Sequence, residues 1–208
     1  MKKICRYIIM GLIASICCMG CGQKKTELPH SSNTKTEKKV IDIRHMYFSM
    51  VGDSITEGAR IQLKKELPNM TVKTDVGLQV VKADRYLVAT RLSDGTFGKG
   101  VVIELGVNGP FSEATGEKLI RMIGSRTPIF WLTLHTGHDI GTWRGMFRNL
   151  MKRLAEKHSN LVLVDWDSYA KKHKDWFYHD GTHLTPEGQK GYAKFIRDTL
   201  KQYYQQHS

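Results

Sequence analysis

The chain has 208 residues, of which 40% are hydrophobic and 25% are charged. These fractions are close to those of ordinary globular proteins, so they exclude a largely disordered chain, a collagen-like chain and a coiled coil. A chain of this length forms one domain of ordinary size. The net charge is +12, and residues 1–40 carry half of that excess.

The cysteines are concentrated at the N-terminus. All four (Cys5, Cys17, Cys18 and Cys21) lie within the first 21 residues. The rest of the sequence therefore has no thiol for a disulfide framework, a cysteine-ligated zinc site or a cysteine nucleophile.

Residues 1–20 have the pattern of a signal peptide. Three basic residues precede residues 7–19, a segment without charged side chains. This segment is shorter than the roughly 20 apolar residues that cross a bilayer, and it ends at a small residue. Residues 18–21 (CMGC) resemble a bacterial lipobox, which implies a lipid on Cys21 and an exported lipoprotein anchored in the cell membrane and facing the cell wall. A plain secretory signal and an uncleaved anchor are the alternatives.

Residues 21–40 are predicted to be a flexible tether, because they contain few large apolar side chains and many Lys, Thr, Ser and Glu residues. A catalytic domain is predicted over residues 41–208.

Strands and helices are predicted to alternate in this domain. Short apolar segments predict strands at 47–51, 70–73, 101–105, 128–134 and 161–164. Helical spacing of apolar residues predicts helices at 55–67, 80–92, 114–123 and 142–157, and a final helix that begins at Thr185-Pro186. In the fourth helix, the inward side is predicted to comprise Met146, Phe147, Leu150, Met151 and Leu154. This alternation predicts an α/β fold, a three-layer α/β/α sandwich with a five-stranded parallel sheet.

Chemically useful residues follow the predicted strands. Ser54 lies in the turn after the first strand, Gly77 follows the second, and Asn108 follows the third. Asp180 and His183 lie between the last strand and the final helix. Because ligands bind beyond the carboxyl ends of parallel strands, we expect these residues to meet in one crevice. A serine nucleophile needs a histidine base, which in turn needs a carboxylate.

These residues occur in four sequence blocks, GDSITEG, DVGLQ, ELGVNG and DGTHLTPEG, which resemble those of the SGNH (GDSL-type) hydrolases. The resemblance covers residues 45–204 and implies the SGNH hydrolase fold, with Ser54 as nucleophile, His183 as base and Asp180 as its orienting acid. It also implies an oxyanion hole built from the amides of Ser54 and Gly77 and the side chain of Asn108. No cofactor is implied, and no metal ion.

The third block has Gly109 where most members have aspartate. With Trp143 and the VDW segment at 164–166, it resembles the extracellular SGNH domain of peptidoglycan O-acetyltransferases. We expect the protein to be an esterase that cleaves O-acetyl esters of cell-wall glycans. The alternatives are an O-acetyltransferase that works with a separate membrane acyltransferase, and a lysophospholipase- or thioesterase-like lipid esterase. A binding lipoprotein with a vestigial site is a non-enzymatic alternative.

Other roles are open for several of these residues. Ser54 could be a helix N-cap, and Asp180 could only shape a turn. His179 and His183 with Asp180, or His135 and His138 with Asp139, could bind a metal ion. Following the fourth strand, His135 is a candidate for substrate binding, as is Trp143.

Two further features have structural explanations. Asp53 is expected to support the site rather than react. The basic segment 171–174 is expected to be a solvated helix face, and no nucleic-acid partner is expected for an exported chain.

Overall fold

The structure, a computed structural model, describes residues 7–8 and 41–207. Apart from residues 7 and 8, the predicted signal peptide, the lipidation site at Cys21 and the tether lie outside the described residues. None of the helices in the described part combines the length and the hydropathy needed to cross a membrane.

A parallel sheet forms the centre of the domain. Its strands are β1 (Tyr7–Ile8), β2 (Phe48–Gly52), β3 (Met70–Thr74), β4 (Val101–Glu104), β5 (Ile129–Leu132) and β6 (Leu161–Val164). They lie in the order β1-β6-β5-β4-β2-β3, and every pairing is parallel. The five predicted strands are confirmed, and β1 adds a two-residue segment at the β6 edge.

In the described residues, six α-helices cover the two faces of the sheet. They are α1 (Ser54–Glu66), α2 (Asp84–Asp94), α3 (Glu113–Ile123), α4 (Trp143–Lys157), α5 (Trp166–Ala170) and α6 (Pro186–Gln206). Helices α2, α3 and α4 pack on one face, and α1, α5 and α6 pack on the other. The predicted three-layer α/β/α sandwich is confirmed.

Strands β5 and β6 are apolar throughout because both faces of the sheet are covered. In β5, Ile129 and Trp131 point to the face covered by α2, α3 and α4, whereas Phe130 and Leu132 point to the opposite face. All four side chains are at most 2% exposed. Alternate residues of one strand therefore contribute to two separate cores.

Two predictions about the helices are wrong. Met146 was expected on the buried side of α4, but its side chain is 58% exposed. The prediction relied on the apolar side chain of Met146. However, Met146 directly precedes the buried Phe147, so its side chain points about 100° away from that of Phe147 around the helix axis. The basic segment 171–174 does not extend a helix, because α5 ends at Ala170 and a turn and a 3-10 helix follow.

The order of the strands defines the position of a crevice. From β2 the chain moves outward to β3 and then returns across β2 to β4. The connection after β2 leads toward β3 on one side, and the connection after β4 leads toward β5 on the other side. Connections that diverge in this way open a crevice beyond the carboxyl ends of β2 and β4. Ser54 follows β2 there, and Asn108 follows β4.

Candidate active site

The turn between β2 and α1 presents Ser54 at the crevice. A Cβ at Gly52 would overlap the side chain of Thr56, so the turn is tight enough to require glycine. Asp53 is the N-cap of α1, and its Oδ1 accepts a hydrogen bond of 3.0 Å from the Ile55 amide. The alternative that Ser54 is the N-cap is therefore wrong. Ser54 is the first helical residue, where backbone N–H groups lack intrahelical acceptors and positive partial charge collects.

Ser54, His183 and Asp180 form one hydrogen-bonded chain. The Oγ of Ser54 lies 3.0 Å from Nε2 of His183, and Nδ1 of His183 lies 2.7 Å from Oδ2 of Asp180. When the Nδ1–H group of His183 donates a hydrogen bond to the carboxylate, Nε2 has a free lone pair that can accept the Ser54 proton. Ser54 is 129 positions before His183 in the sequence, so folding brings it to the Asp180–His183 pair.

Asp180 also shapes the loop that carries His183. Its Oδ1 accepts hydrogen bonds from the Thr182 amide at 2.8 Å and the His183 amide at 2.9 Å. Burial opposes ionisation of this carboxyl, but the hydrogen bonds from the His183 side chain and from these two amides outweigh it and lower its pKa to about 2. Asp180 is thus ionised at neutral pH, and the turn-forming and histidine-orienting roles coexist in one side chain.

The loop after β5 braces the His183 loop. The hydroxyls of Thr136 and Thr182 are 2.8 Å apart, and the Gly137 amide donates to the Thr182 hydroxyl at 3.1 Å. Gly181, at a positive φ of 61°, lies against Gly137. A Cβ on Gly137 would overlap the backbone oxygen of Asp180. The sequence carried no signal for this contact, because small and hydroxyl residues are common in any loop.

The side chain of Asn108 points into the same region. Its Nδ2 donates to Oδ2 of Asp53 at 2.7 Å and makes a longer contact of 3.4 Å with the Leu78 backbone oxygen. A buried hydrogen bond of 2.8 Å from the Trp143 indole to the Gly106 backbone oxygen anchors the preceding loop. The amide group is thus held in one orientation.

A cavity of about 150 Å³ lies over these groups. Ser54, Asn108 and His183 line it together with Val107, His138 and Ile140, among others. A larger cavity of about 300 Å³ lies beside α4, and no residue of the Ser54–His183–Asp180 chain lines it.

Three predicted site residues do not line the small cavity. Gly77 lies in an exposed turn at φ 71°, where its glycine character serves the positive φ. His135 instead places Nδ1 3.0 Å from Oδ1 of Asp167 and packs on Phe177. Trp143 is 7% exposed and belongs to the core beneath α4. Substrate binding by His135 and Trp143 stays a prediction that this cavity does not support, because both side chains bond to internal partners. His138, the second histidine after β5, does line the cavity.

The structure also reveals a buried acid behind Ser54 that the sequence reasoning missed. Glu104 is 4% exposed at the end of β4, and its Oε2 accepts a hydrogen bond of 3.0 Å from the Thr56 hydroxyl. A polar residue that ends an otherwise apolar strand was the available signal. Within residues 41–207, no three His, Cys, Asp or Glu side chains converge as metal ligands would.

The layers and the parallel strand order are those of the SGNH hydrolase fold. Solved structures with this fold include the C-terminal catalytic domain of peptidoglycan O-acetyltransferase A of Streptococcus pneumoniae, with a methylsulfonyl adduct. That domain matches with a TM-score of 0.64 at 22% identity, covering 76% of this chain and 93% of that domain. The esterase EstA of a Pseudoalteromonas species matches with a TM-score of 0.60 at 16% identity, covering 76% and 98%.

In sequence, the chain is a homologue of peptidoglycan O-acetyltransferases. It is 29% identical over 160 residues to the O-acetyltransferase OatA of Staphylococcus aureus (strain NCTC 8325), covering 77% of this chain and 26% of that protein. It is also 29% identical over 153 residues to the peptidoglycan O-acetyltransferase OatA of Listeria monocytogenes, covering 72% and 23%. The chain thus spans about a quarter of the length of these curated relatives. No protein-family model matches the chain.

Proposed function

We propose that this protein is an exported serine esterase that removes O-acetyl groups from cell-wall glycans through an acyl-enzyme. The observation that carries the proposal is the Ser54–His183–Asp180 chain, with separations of 3.0 and 2.7 Å, at the rim of a cavity. These distances are those expected of a nucleophile, its base and the group that orients the base.

The proposed reaction has two steps. Ser54 Oγ attacks the ester carbonyl carbon while Nε2 of His183 takes its proton. The tetrahedral intermediate collapses, the glycan oxygen leaves with the proton from His183, and the acetyl group remains on Ser54. Water, deprotonated by Nε2 of His183, then attacks the acetyl carbonyl carbon. This second intermediate collapses as His183 returns the proton to Ser54 Oγ, which releases acetate and restores the Ser54 hydroxyl. Asp180 keeps its negative charge throughout and stabilises the imidazolium.

We assign the oxyanion hole to the Ser54 amide and the Nδ2–H group of Asn108. The long contact of Asn108 with the Leu78 oxygen is easily exchanged for a charged oxygen, because hydrogen bonds to charged groups are stronger than those to neutral ones. The Gly77 amide could become a third donor only if its turn moves toward the cavity. Each such donor contributes about 3–4 kcal/mol to the transition state.

Two observations support a small acyl group on a wall polymer. The cavity of about 150 Å³ is below the roughly 300 Å³ at which drug-sized ligand pockets begin, which suits an acetyl group. The relatives in sequence are named as O-acetyltransferases, one of them as a peptidoglycan O-acetyltransferase, so a domain that faces the wall is the coherent setting.

O-acetyl transfer to peptidoglycan is the second candidate, favoured by the names of those same relatives. The acyl-enzyme on Ser54 is common to both reactions, and only the acceptor differs. In this case a separate membrane acyltransferase would supply the acetyl group.

The test is product analysis with an acetyl ester, in the presence and absence of a chitooligosaccharide acceptor. We expect acetate as the main product in both conditions. Acetylated acceptor in excess over acetate would instead establish transfer. Ser54→Ala should lower turnover by at least about 1,000-fold, because the triad acts as a unit. Ser159→Ala, a change at an exposed position, is the control. Near-normal turnover by Ser54→Ala would show that Ser54 is not the nucleophile.

We also propose that lipid on Cys21 holds the domain at the membrane. The supporting evidence is the lipobox-like CMGC segment after a short apolar stretch. Cys21→Ala should release the protein from membranes or leave an unprocessed precursor, whereas Cys17→Ala should do neither. Membrane fractionation with mass spectrometry of the N-terminus decides the point. Mature, membrane-bound protein with an unmodified Cys21 would contradict the proposal.

A further inference from the structure

Two carboxyl groups meet behind the candidate nucleophile. Asp53 is 1% exposed and Glu104 is 4% exposed. Oε2 of Glu104 lies 3.4 Å from the Asp53 amide and accepts a hydrogen bond from Thr56 at 3.0 Å. The two side chains are also within hydrogen-bonding reach of each other. The reaction described above uses neither carboxyl directly.

The surroundings of this pair hold few compensating charges. From α6, the Tyr192 hydroxyl lies 3.3 Å from the Thr56 hydroxyl, and His183, from the loop before α6, lines the same cavity as Asp53. In the described part of the chain, no Lys or Arg forms a salt bridge with either carboxyl. If both buried carboxyl groups were ionised, their negative charges would repel each other strongly, because the side chains lie within hydrogen-bonding reach. One carboxyl therefore has to keep a proton.

The hydrogen bonds indicate which carboxyl is protonated. Asp53 accepts from the Ile55 amide through Oδ1 and from the Asn108 side chain through Oδ2, and both bonds favour its charged form. Glu104 accepts from one neutral hydroxyl at 3.0 Å and from a distant amide. Burial raises the pKa of Glu104 well above its usual range, and the negative charge of Asp53 raises it further. Burial also raises the pKa of Asp53, against the lowering effect of the hydrogen bonds from the Ile55 amide and the Glu104 side chain.

We propose that Glu104 is a positioning residue that remains protonated, donates to the Asp53 carboxylate and thereby holds the Asn108 amide ready to bind the oxyanion. The proposal rests on the proposed function, since it concerns the oxyanion hole of that reaction. The path consists of three contacts: Glu104 to Asp53, Asp53 to Asn108, and Asn108 to the developing charge.

Asp53 is needed in this path because an amide side chain can present either of two faces. Rotation by 180° would replace the Nδ2 donor of Asn108 with its Oδ1 acceptor. An oxygen facing the oxyanion would be repulsive instead of attractive. The carboxylate of Asp53 accepts only, so it selects the orientation in which Nδ2 points toward the turn.

The test compares Glu104→Gln with Glu104→Leu in protein produced from the full sequence. Glutamine can donate to Asp53 and accept from Thr56 but cannot lose a proton. We expect Glu104→Gln to keep kcat within about threefold at neutral pH and to lose any alkaline decline of kcat that deprotonation of Glu104 causes. Glu104→Leu removes the donor, and we expect kcat to fall at least about tenfold with KM nearly unchanged, as for a partly misplaced oxyanion donor.

A second measurement does not depend on turnover. In protein labelled with ¹³C at glutamate side-chain carboxyls, nuclear magnetic resonance should detect one carboxyl that stays protonated at neutral pH. This signal should be missing in Glu104→Gln and present in Glu57→Gln, a change at an exposed glutamate of α1.

The outcomes separate the two proposals. Absence of a protonated glutamate at neutral pH would overturn the positioning role, as would equal losses of kcat in the Gln and Leu variants with an unchanged pH profile. Either result would leave the Ser54 chemistry standing. Undiminished turnover by Ser54→Ala would overturn the proposed function without affecting the resonance of Glu104.

Discussion

The substitution Asp180→Asn isolates the orientation of His183 from the folding of its loop. An asparagine Oδ1 can still accept from the amides of Thr182 and His183, so the turn keeps both backbone hydrogen bonds. The group that faces Nδ1 of His183 becomes an NH₂ donor in place of a carboxylate oxygen. Two donors cannot pair, so the imidazole has to accept at Nδ1 and carry its proton on Nε2.

The expected loss of activity is large. With its proton on Nε2, His183 cannot take the proton of Ser54 across the 3.0 Å contact. A triad with the wrong tautomer loses kcat by about 10³–10⁴-fold, which corresponds to about 4–5.5 kcal/mol of activation free energy. The melting temperature should change by less than about 3 °C, which is about 1 kcal/mol for a domain of this size.

The assay is hydrolysis of a small acetyl ester, with thermal unfolding measured on the same samples. The sequence provides a matched control in Asp42 and His45, which have the same Asp-x-x-His spacing. Oδ1 of Asp42 accepts from the Arg44 amide at 3.0 Å, and Oδ2 lies 3.4 Å from His45. Asp42→Asn should therefore reproduce the local change and leave activity intact. If Asp180→Asn keeps kcat within tenfold of the unmodified protein, the orienting role of Asp180 is refuted.

The same substitution has a pH signature. The pKa of Asp180 in the folded protein is about 2, below the ordinary value of about 3.9 for an unfolded chain. Ionised Asp180 therefore stabilises the fold above about pH 4, and this contribution is lost as the pH falls toward 2. The difference in unfolding free energy between the unmodified protein and Asp180→Asn should narrow over that interval in acid denaturation experiments.

Two further substitutions test how the loops are held. Gly137→Ala would put a Cβ against the backbone oxygen of Asp180, so we expect a loss of about 1–3 kcal/mol and of most ester hydrolysis. Gly145→Ala, where a Cβ meets nothing within 4 Å in α4, should stabilise slightly, and equal activities of the two variants would contradict the bracing contact. Trp143→Phe removes the hydrogen-bond donor to the Gly106 oxygen. We expect a free energy of unfolding about 1–3 kcal/mol lower in denaturant, and a lower kcat because the loop that carries Asn108 is less firmly held. An unchanged stability and kcat would disprove this anchoring role.

Local patterns were sufficient to predict the layers of the fold. Strands β5 and β6 are short apolar segments because both of their faces are covered, and the final helix begins at the predicted Thr185 cap followed by proline. Patterns failed where side-chain direction depends on the neighbours. Met146 is apolar but exposed, and the five-residue helix α5 is too short to show a helical period.

The candidate site shows the same division. Order along the chain and the general position of ligands in parallel sheets were sufficient to predict that Ser54, Asn108 and His183 share one crevice. Spacing alone was not selective, because Asp42 and His45 repeat the Asp-x-x-His interval at an exposed site, whereas the hydrogen bond to Ser54 is made by His183.

The sequence by itself thus determined the elements, their order and the residue types at the strand ends, since these depend on periodicity and turn chemistry within short segments. The tertiary structure alone decided that Trp143 and His135 bond to internal partners and that Asp53 and Glu104 come together. Such contacts join residues far apart in the chain, and their geometry is set by how helices and loops pack across the sheet, which no local pattern encodes.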